Sequence, residues 1–303
     1  MNTSTKLPPC PADFDLFWQQ ELKQLNMVNP DPALTYVCDI EPGLKQYQLT
    51  FVSQHKATIQ GYALIWDKSS APLVLHTNGY NSHVEVQHEW AKRGVNVIGF
   101  DTRGFGRSKE GIELHSDGHI LTGYESPQTS ILGACVCDYI QAHQAAKSLL
   151  KKKISKTLYY GFSFAGAMAI QAAAISQEAD LLVTGAPTFG WHTLRRQLPI
   201  NGSGAEVRDF LGQHPKQENR LMQSLNYFDT VHFASKITCP ILVGIGLIDE
   251  TVPAITVEAI IERMPAHRVR RAFSHSHCEQ DELIWQTFID EMLELAHQDP
   301  IDL

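Results

Sequence analysis

A serine at the apex of a sharp turn between a strand and a helix can act as a nucleophile, and one stretch of this sequence is spelled that way. Thr157–Tyr160 is a short β-prone run, Gly161-Phe162-Ser163-Phe164-Ala165-Gly166 follows it, and the helix-forming MAIQAAA comes directly after. Such an elbow needs small residues around the serine because the turn is strained and its neighbours pack closely, and Gly161, Ala165 and Gly166 meet that need. The hydroxyl of Ser163 would lie at a helix N-terminus, where developing negative charge is stabilised. The pentad alone is a weak signal, since a serine that only caps the helix would look the same. A hydroxyl becomes a useful nucleophile only when a neighbouring base takes its proton, so the partners decide.

Both kinds of partner occur downstream, in the order serine, aspartate, histidine that α/β-hydrolases use. Asp249 follows the apolar run Ile241–Ile245 in Gly246-Leu247-Ile248-Asp249-Glu250, where it could orient an imidazole or cap the next helix. Glu250 is the adjacent alternative. Phe273-Ser274-His275-Ser276-His277-Cys278-Glu279 supplies two histidines, of which one should be the base. A His-x-His beside a cysteine could instead bind metal, but no companion ligand cluster accompanies it, so neither metal nor organic cofactor is expected. An acyl-transfer site also needs donors for an oxyanion. The backbone N–H of Phe164 is one, and that of Tyr80, in His76-Thr77-Asn78-Gly79-Tyr80-Asn81, is the natural second.

The surrounding pattern suits that chemistry. Ala12–Leu25 places Phe14, Phe17, Trp18, Leu22 and Leu25 at helical intervals, predicting an amphipathic helix begun near Asp13. Tyr47–Phe51 and Thr58–Trp66 read as an antiparallel hairpin. From Leu73 short apolar runs alternate with helix-like segments, which predicts a mostly parallel central sheet flanked by helices. The strands are Leu73–His76, Val95–Phe100, Thr157–Tyr160, Leu181–Thr184, Ile241–Ile245 and Arg268–Phe273; the helices are His83–Lys92, Ser130–Leu150, Phe164–Ser176, Ile255–Arg263 and Leu283–His297. Arg103–Tyr124 and Phe189–Ser235 break the repeat and are candidate pocket walls. With no linker or internal repeat, the 303 residues are expected to form one α/β domain, residues 1–70 being an N-terminal extension and 186–235 a cap-like insertion.

Bulk composition narrows the partners. Lys+Arg number 25 against 33 Asp+Glu, a net charge of −8, and the one compact basic run, Lys151-Lys152-Lys153, suits a solvated turn; nucleic acid is not an expected partner. No apolar stretch approaches the roughly 20 residues that span a bilayer, and the first residues lack a signal-peptide core. The six cysteines are scattered without a paired framework, so reduced thiols and a cytoplasmic location are expected.

Several of these segments together resemble the acetyl xylan esterase and cephalosporin C deacetylase family of carbohydrate esterases. They are Pro11-Ala12-Asp13-Phe14-Asp15 with Phe17-Trp18, Asn78-Gly79-Tyr80-Asn81, Arg103-Gly104-Phe105-Gly106-Arg107-Ser108, the serine elbow, Tyr227-Phe228-Asp229, Cys239-Pro240-Ile241-Leu242, and Gly246-Leu247-Ile248-Asp249 with Pro253. The resemblance runs along nearly the whole chain. It implies an α/β-hydrolase fold, an esterase acting on short acyl esters of small molecules, a homo-oligomer, Ser163 as nucleophile, Asp249 as acid and Tyr80 as oxyanion donor. Matching Arg268–Phe273 and the helix residues Phe288, Ile289, Met292 and Leu293 favours His275 as base, with His277 the alternative. The sequence departs from the family there: the family has glycine before its histidine and glutamate directly after, whereas His275 lies between Ser274 and Ser276. It departs again at Phe164-Ala165, where the family shows Gln then Gly, and at Phe105, where the family has a polar residue. These changes keep a lactone or dienelactone hydrolase-like activity open, as well as a catalytically inactive relative that binds a ligand.

Overall fold

The computed structural model describes residues 6–67, 70–198, 200–265, 269–277 and 282–303. Arg268, expected to open the last strand, and Cys278 and Glu279, beside His277, lie outside the described residues.

Short strands, mostly apolar runs, assemble into one sheet. β1 (Ala33–Glu41), β2 (Leu44–Val52) and β3 (Thr58–Trp66) form an antiparallel meander, and β3 pairs antiparallel with β5 (Asn96–Phe100). The remaining pairs are parallel: β5 with β4 (Ala71–Thr77), then β6 (Ile154–Phe162), β7 (Leu181–Gly185), β8 (Ile241–Gly246) and β9 (Val269–Ser274). The order is β1-β2-β3-β5-β4-β6-β7-β8-β9. Alternate residues face opposite layers, so Leu73 and Leu75 enter one core and Val74 the other, and Ile241, Val243 and Ile245 part from Leu242 in the same way.

Helices cover both faces. On one lie α1 (Phe14–Leu25), α3 (Ile131–Leu150), α4 (Phe164–Ser176), α8 (Val231–Ala234) and α9 (Ala254–Ile261); α2 (His88–Lys92) and α10 (Glu282–Leu295) cover the other. α3 starts as its sequence suggests, with Ser130 capping Leu132 N–H, and it fixes the strands that end at the site. Its Tyr139 hydroxyl donates to the Leu75 carbonyl of β4 at 2.6 Å, with the Tyr160 carbonyl of β6 at 3.1 Å. Its Asp138 takes the Arg103 guanidinium in a buried fork, Nε to Oδ2 at 2.7 Å and Nη2 to Oδ1 at 2.5 Å, which anchors the loop that opens at Arg103.

The differences from sequence expectation have local causes. β1 went unnoticed because it is an edge strand, and most of its side chains are exposed or half-buried rather than cleanly alternating. The expected helix His83–Lys92 is helical only from His88, because two of its preceding N–H groups are held by side chains of the sheet: Val84 N–H by Asp101, Gln87 N–H by the Tyr62 hydroxyl. Asp13 does not cap α1 with its side chain but accepts the Tyr227 hydroxyl at 2.5 Å. Trp18 Nε1 donates to the Tyr227 carbonyl, and Phe17 and Trp18 pack edge-on against Phe228. Two segments that carry the family resemblance, one at each end of this contact, therefore bind each other. The apolar face of α1 is consumed inside the protein, with Phe14, Phe17, Trp18 and Leu25 all buried. Within 189–235 the chain forms α5 (His192–Arg195), α6 (Ser203–Gln213), α7 (Glu218–Asn226) and α8, whereas 103–124 contains only a short 3-10 turn, His119–Leu121.

Candidate active site

Ser163 sits between the end of β6 and the start of α4 with φ 55° and ψ −113°, a left-handed conformation that costs a non-glycine residue about 1–3 kcal/mol. The surroundings over-determine it. Ser163 N–H donates to the Gly185 carbonyl at 2.9 Å, and its own carbonyl accepts Ala167 N–H and Thr188 N–H, each at 3.1 Å. A Cβ on Gly161 would lie 2.1 Å from the Ala165 carbonyl oxygen, so only glycine permits this return of the helix onto the strand. The Ser163 side chain makes no capping hydrogen bond to α4, which removes the simpler explanation of a serine at that position.

Asp249 lies just past β8, and its side chain is fully buried. Its Oδ1 accepts Thr251 N–H at 2.8 Å and Val252 N–H at 2.7 Å, which fixes the carboxylate and leaves Oδ2 to a partner. That partner is His277: Nδ1 stands 2.5 Å from Oδ2. The His277 ring meets the Phe162 ring edge-on, with centroids 5.0 Å apart, and Phe162 immediately precedes Ser163; Trp285 of α10 backs Phe162 from its other side at 4.7 Å. His275, which the helix register favoured, is exposed, and its contribution is its carbonyl, which accepts Ile248 N–H. The chain bends after β9 instead of running straight on, and it is His277 rather than His275 that meets Asp249. Gly246 makes the bend possible, since a Cβ there would approach the Ser276 carbonyl oxygen to 2.7 Å.

The loop after β4 carries Tyr80. Asn78 shapes it, its Oδ1 accepting Thr102 N–H at 2.7 Å and its Nδ2 donating to the Gly79 carbonyl at 2.7 Å. The Tyr80 ring packs against Phe164, Phe105 and His119, with centroids 5.6, 5.4 and 5.9 Å away. Its hydroxyl is already engaged, donating to Glu206 Oε2 at 2.5 Å and accepting Ile120 N–H at 3.1 Å, so this residue can offer an oxyanion only its backbone N–H. Phe164 opens α4, where the first N–H groups have no intrahelical acceptor. Its ring is wholly buried against Tyr80, Phe105 and Phe189.

Two further residues position this region. Glu206, on α6, has no sequence signal, since its partner Tyr80 is 126 residues away. Asp229 gathers Trp191 N–H, His192 N–H and Val231 N–H at 2.9, 2.8 and 3.2 Å, which holds the turn carrying Phe189. Burial raises the Asp229 carboxyl to about 6 against those hydrogen bonds.

Buried imidazoles nearby have a consequence for pH. Burial lowers His76 to about 3, His119 and His232 to about 4, and His192 well below its usual range. Each is neutral in the folded state but titrates near about 6.5 when unfolded, so its contribution to stability is complete above that value and is lost as pH falls. Asp229 and Glu206, both raised by burial, act in the opposite direction but are two groups against four. The urea midpoint is therefore expected to drop between about pH 7.5 and about pH 5; an increase would contradict the neutral, buried state of these rings. Among the described residues no three His, Cys, Asp or Glu side chains converge as a metal-ligand set, and no helix is long and apolar enough to cross a membrane.

Comparison with known proteins places this arrangement. The acetyl xylan esterase (AXE1) family matches residues 3–286. An acetyl xylan esterase from Paenibacillus sp. R4 superposes with a TM-score of 0.86 at 21% identity, over 97% of this chain and 99% of that one. Acetyl xylan esterase 1 from Thermoanaerobacterium sp. JW/SL YS485 gives 0.85 at 21% identity, over 97% and 96%. Est1E from Butyrivibrio proteoclasticus, solved with ferulic acid bound, gives 0.54 at 17% identity, over 86% and 98%, and shares the fold at a greater distance. With its mixed, mostly parallel sheet flanked by helices, its elbow serine and a match over 3–286, the chain is an α/β-hydrolase and a carboxylic ester hydrolase, and it belongs to the acetyl xylan esterase family.

Proposed function

We propose that the chain hydrolyses short acyl esters, acetyl esters foremost, through an acyl-enzyme on Ser163, with His277 as base and Asp249 as its orienting acid. The observation that carries this reading is the 2.5 Å contact between His277 Nδ1 and Asp249 Oδ2, made by an imidazole that rests on the residue preceding the elbow serine. With Nδ1–H donated to the carboxylate, Nε2 is the free acceptor of the neutral ring.

His277 Nε2 takes the Ser163 Oγ proton as Oγ attacks the ester carbonyl carbon. The carbonyl oxygen gains the negative charge, and the N–H groups of Phe164 and Tyr80 stabilise it. The tetrahedral intermediate collapses as the imidazolium gives its proton to the departing alcohol oxygen, leaving an acyl ester on Ser163. Water, deprotonated by the same imidazole, attacks that ester, and a second collapse returns the proton to Oγ and releases the carboxylic acid.

Family membership supports acetyl esters as substrates. Phe164, standing where glutamine is usual in the family, is the departure that keeps lactones in view. Turnover of p-nitrophenyl acetate, butyrate and octanoate, acetylated xylo-oligosaccharides and a dienelactone separates the readings. The expected order is acetate above butyrate, with octanoate lower by at least about tenfold, a discrimination of about 1.4 kcal/mol. Faster turnover of the lactone than of any acetyl ester would displace the acetylesterase reading.

A further inference from the structure

We infer that Glu206 is a positioning residue for the oxyanion donor, acting on the Tyr80 backbone through the tyrosine phenol. This rests on the assignment of Tyr80 N–H as one of the two donors. The loop that carries that N–H is a tight turn closed at its base, where Asn78 Nδ2 and the Ser82 N–H and hydroxyl all donate to the Gly79 carbonyl, and Asn81 is left-handed with φ 52°. What ties the tip of this turn to the rest of the protein is the side chain of Tyr80. Its hydroxyl donates to Glu206 Oε2 and accepts Ile120 N–H, while the ring is caged by Phe105, His119 and Phe164.

The socket for the carboxylate is built into the chain. Gly118 has φ 147°, and a Cβ there would lie 2.1 Å from Glu206 Oε2, so a side chain at 118 would displace the carboxylate from Tyr80. Three segments remote in sequence, the loop after β4, the turn 118–120 and helix α6, thus meet at one phenol–carboxylate bond. Burial raises the Glu206 carboxyl above its ordinary range, and the Tyr80 bond is the leading influence in the other direction. Because α6 lies within residues 189–235, the bond also ties donor placement to the position of that segment. The opposite donor, Phe164 N–H, needs no such tether, being part of α4.

An oxyanion donor acts on the transition state far more than on bound ester, which separates positioning from simple structural support. With enzyme concentration set by fluorophosphonate titration, Glu206→Ala is expected to lower kcat for p-nitrophenyl acetate about tenfold while KM stays within about twofold. Inhibition by a trifluoromethyl ketone, whose adduct carries the oxyanion, should weaken by a similar factor. Glu206→Gln keeps an acceptor for the Tyr80 hydroxyl and should recover most of both losses. Tyr80→Phe should match Glu206→Ala, and the double variant should be no worse than either single one. Unchanged kcat and inhibitor affinity in Glu206→Ala, a change confined to KM, or a Gln variant as impaired as the Ala variant would each overturn the inference. Losses in Glu206→Ala that Tyr80→Phe does not share would overturn it as well. Retained turnover in Ser163→Ala would instead remove the active-site reading beneath it, and the inference with it.

Discussion

Ser163→Ala is expected to lower p-nitrophenyl acetate turnover by about 10⁴-fold or more, with the urea midpoint at or above that of the parent. The size of the loss follows from the role: without Oγ no acyl-enzyme forms, and only the oxyanion donors and substrate binding continue to assist attack by water. The stability expectation follows from the geometry. Ser163 holds φ 55° and contributes no side-chain cap to α4, so its hydroxyl adds little to the fold, while the strained backbone is imposed by Gly161, Gly185 and Thr188. A variant that loses activity while keeping its melting behaviour separates a reacting group from a structural one.

The second large effect distinguishes two histidines two residues apart. His277→Ala is expected to cost about 10³-fold or more in kcat, because the proton of Ser163 then has no acceptor. His275→Ala should remain within about threefold of the parent, since its imidazole is exposed and its structural contribution is a backbone carbonyl that alanine retains. Purified variants compared at equal folded concentration give the answer directly. The reverse ranking would mean that the Asp249 contact with His277 is not the working one.

The contrast between these histidines marks how far the sequence could be read. The places of Ser163 and Asp249 are legible because each follows a strand end, Ser163 in a small-residue turn at the start of a helix and Asp249 in the loop after β8. The helix Phe164–Ser176 was placed to the residue because its apolar, alanine-rich composition is uniform and Gly161 and Ala165 mark the turn into it. The base was not local in this sense. Which of the two histidines meets Asp249 depends on a bend over residues 275–277 that Gly246 permits by letting the chain pass close, and counting back along α10 cannot register that. Edge strand β1 escaped for a related reason, since a strand with few fully buried neighbours has no reason to alternate. Glu206 lies on a helix whose own periodicity says nothing of Tyr80, and their bond appears only once α6 packs against the loop after β4. Asp229 was visible as part of a resemblance, yet its work, collecting three backbone N–H groups so that Phe189 reaches Phe164, required coordinates.

The central claim is that Ser163 is activated by an adjacent imidazole, and reaction with a fluorophosphonate tests it most directly. Intact mass measurement should show one adduct per chain, and peptide mapping should place it on Ser163. The adduct should be absent in Ser163→Ala, and its formation should slow by at least about 10²-fold in His277→Ala. No adduct on a protein that still turns over p-nitrophenyl acetate, or an adduct on a different residue, would contradict the account.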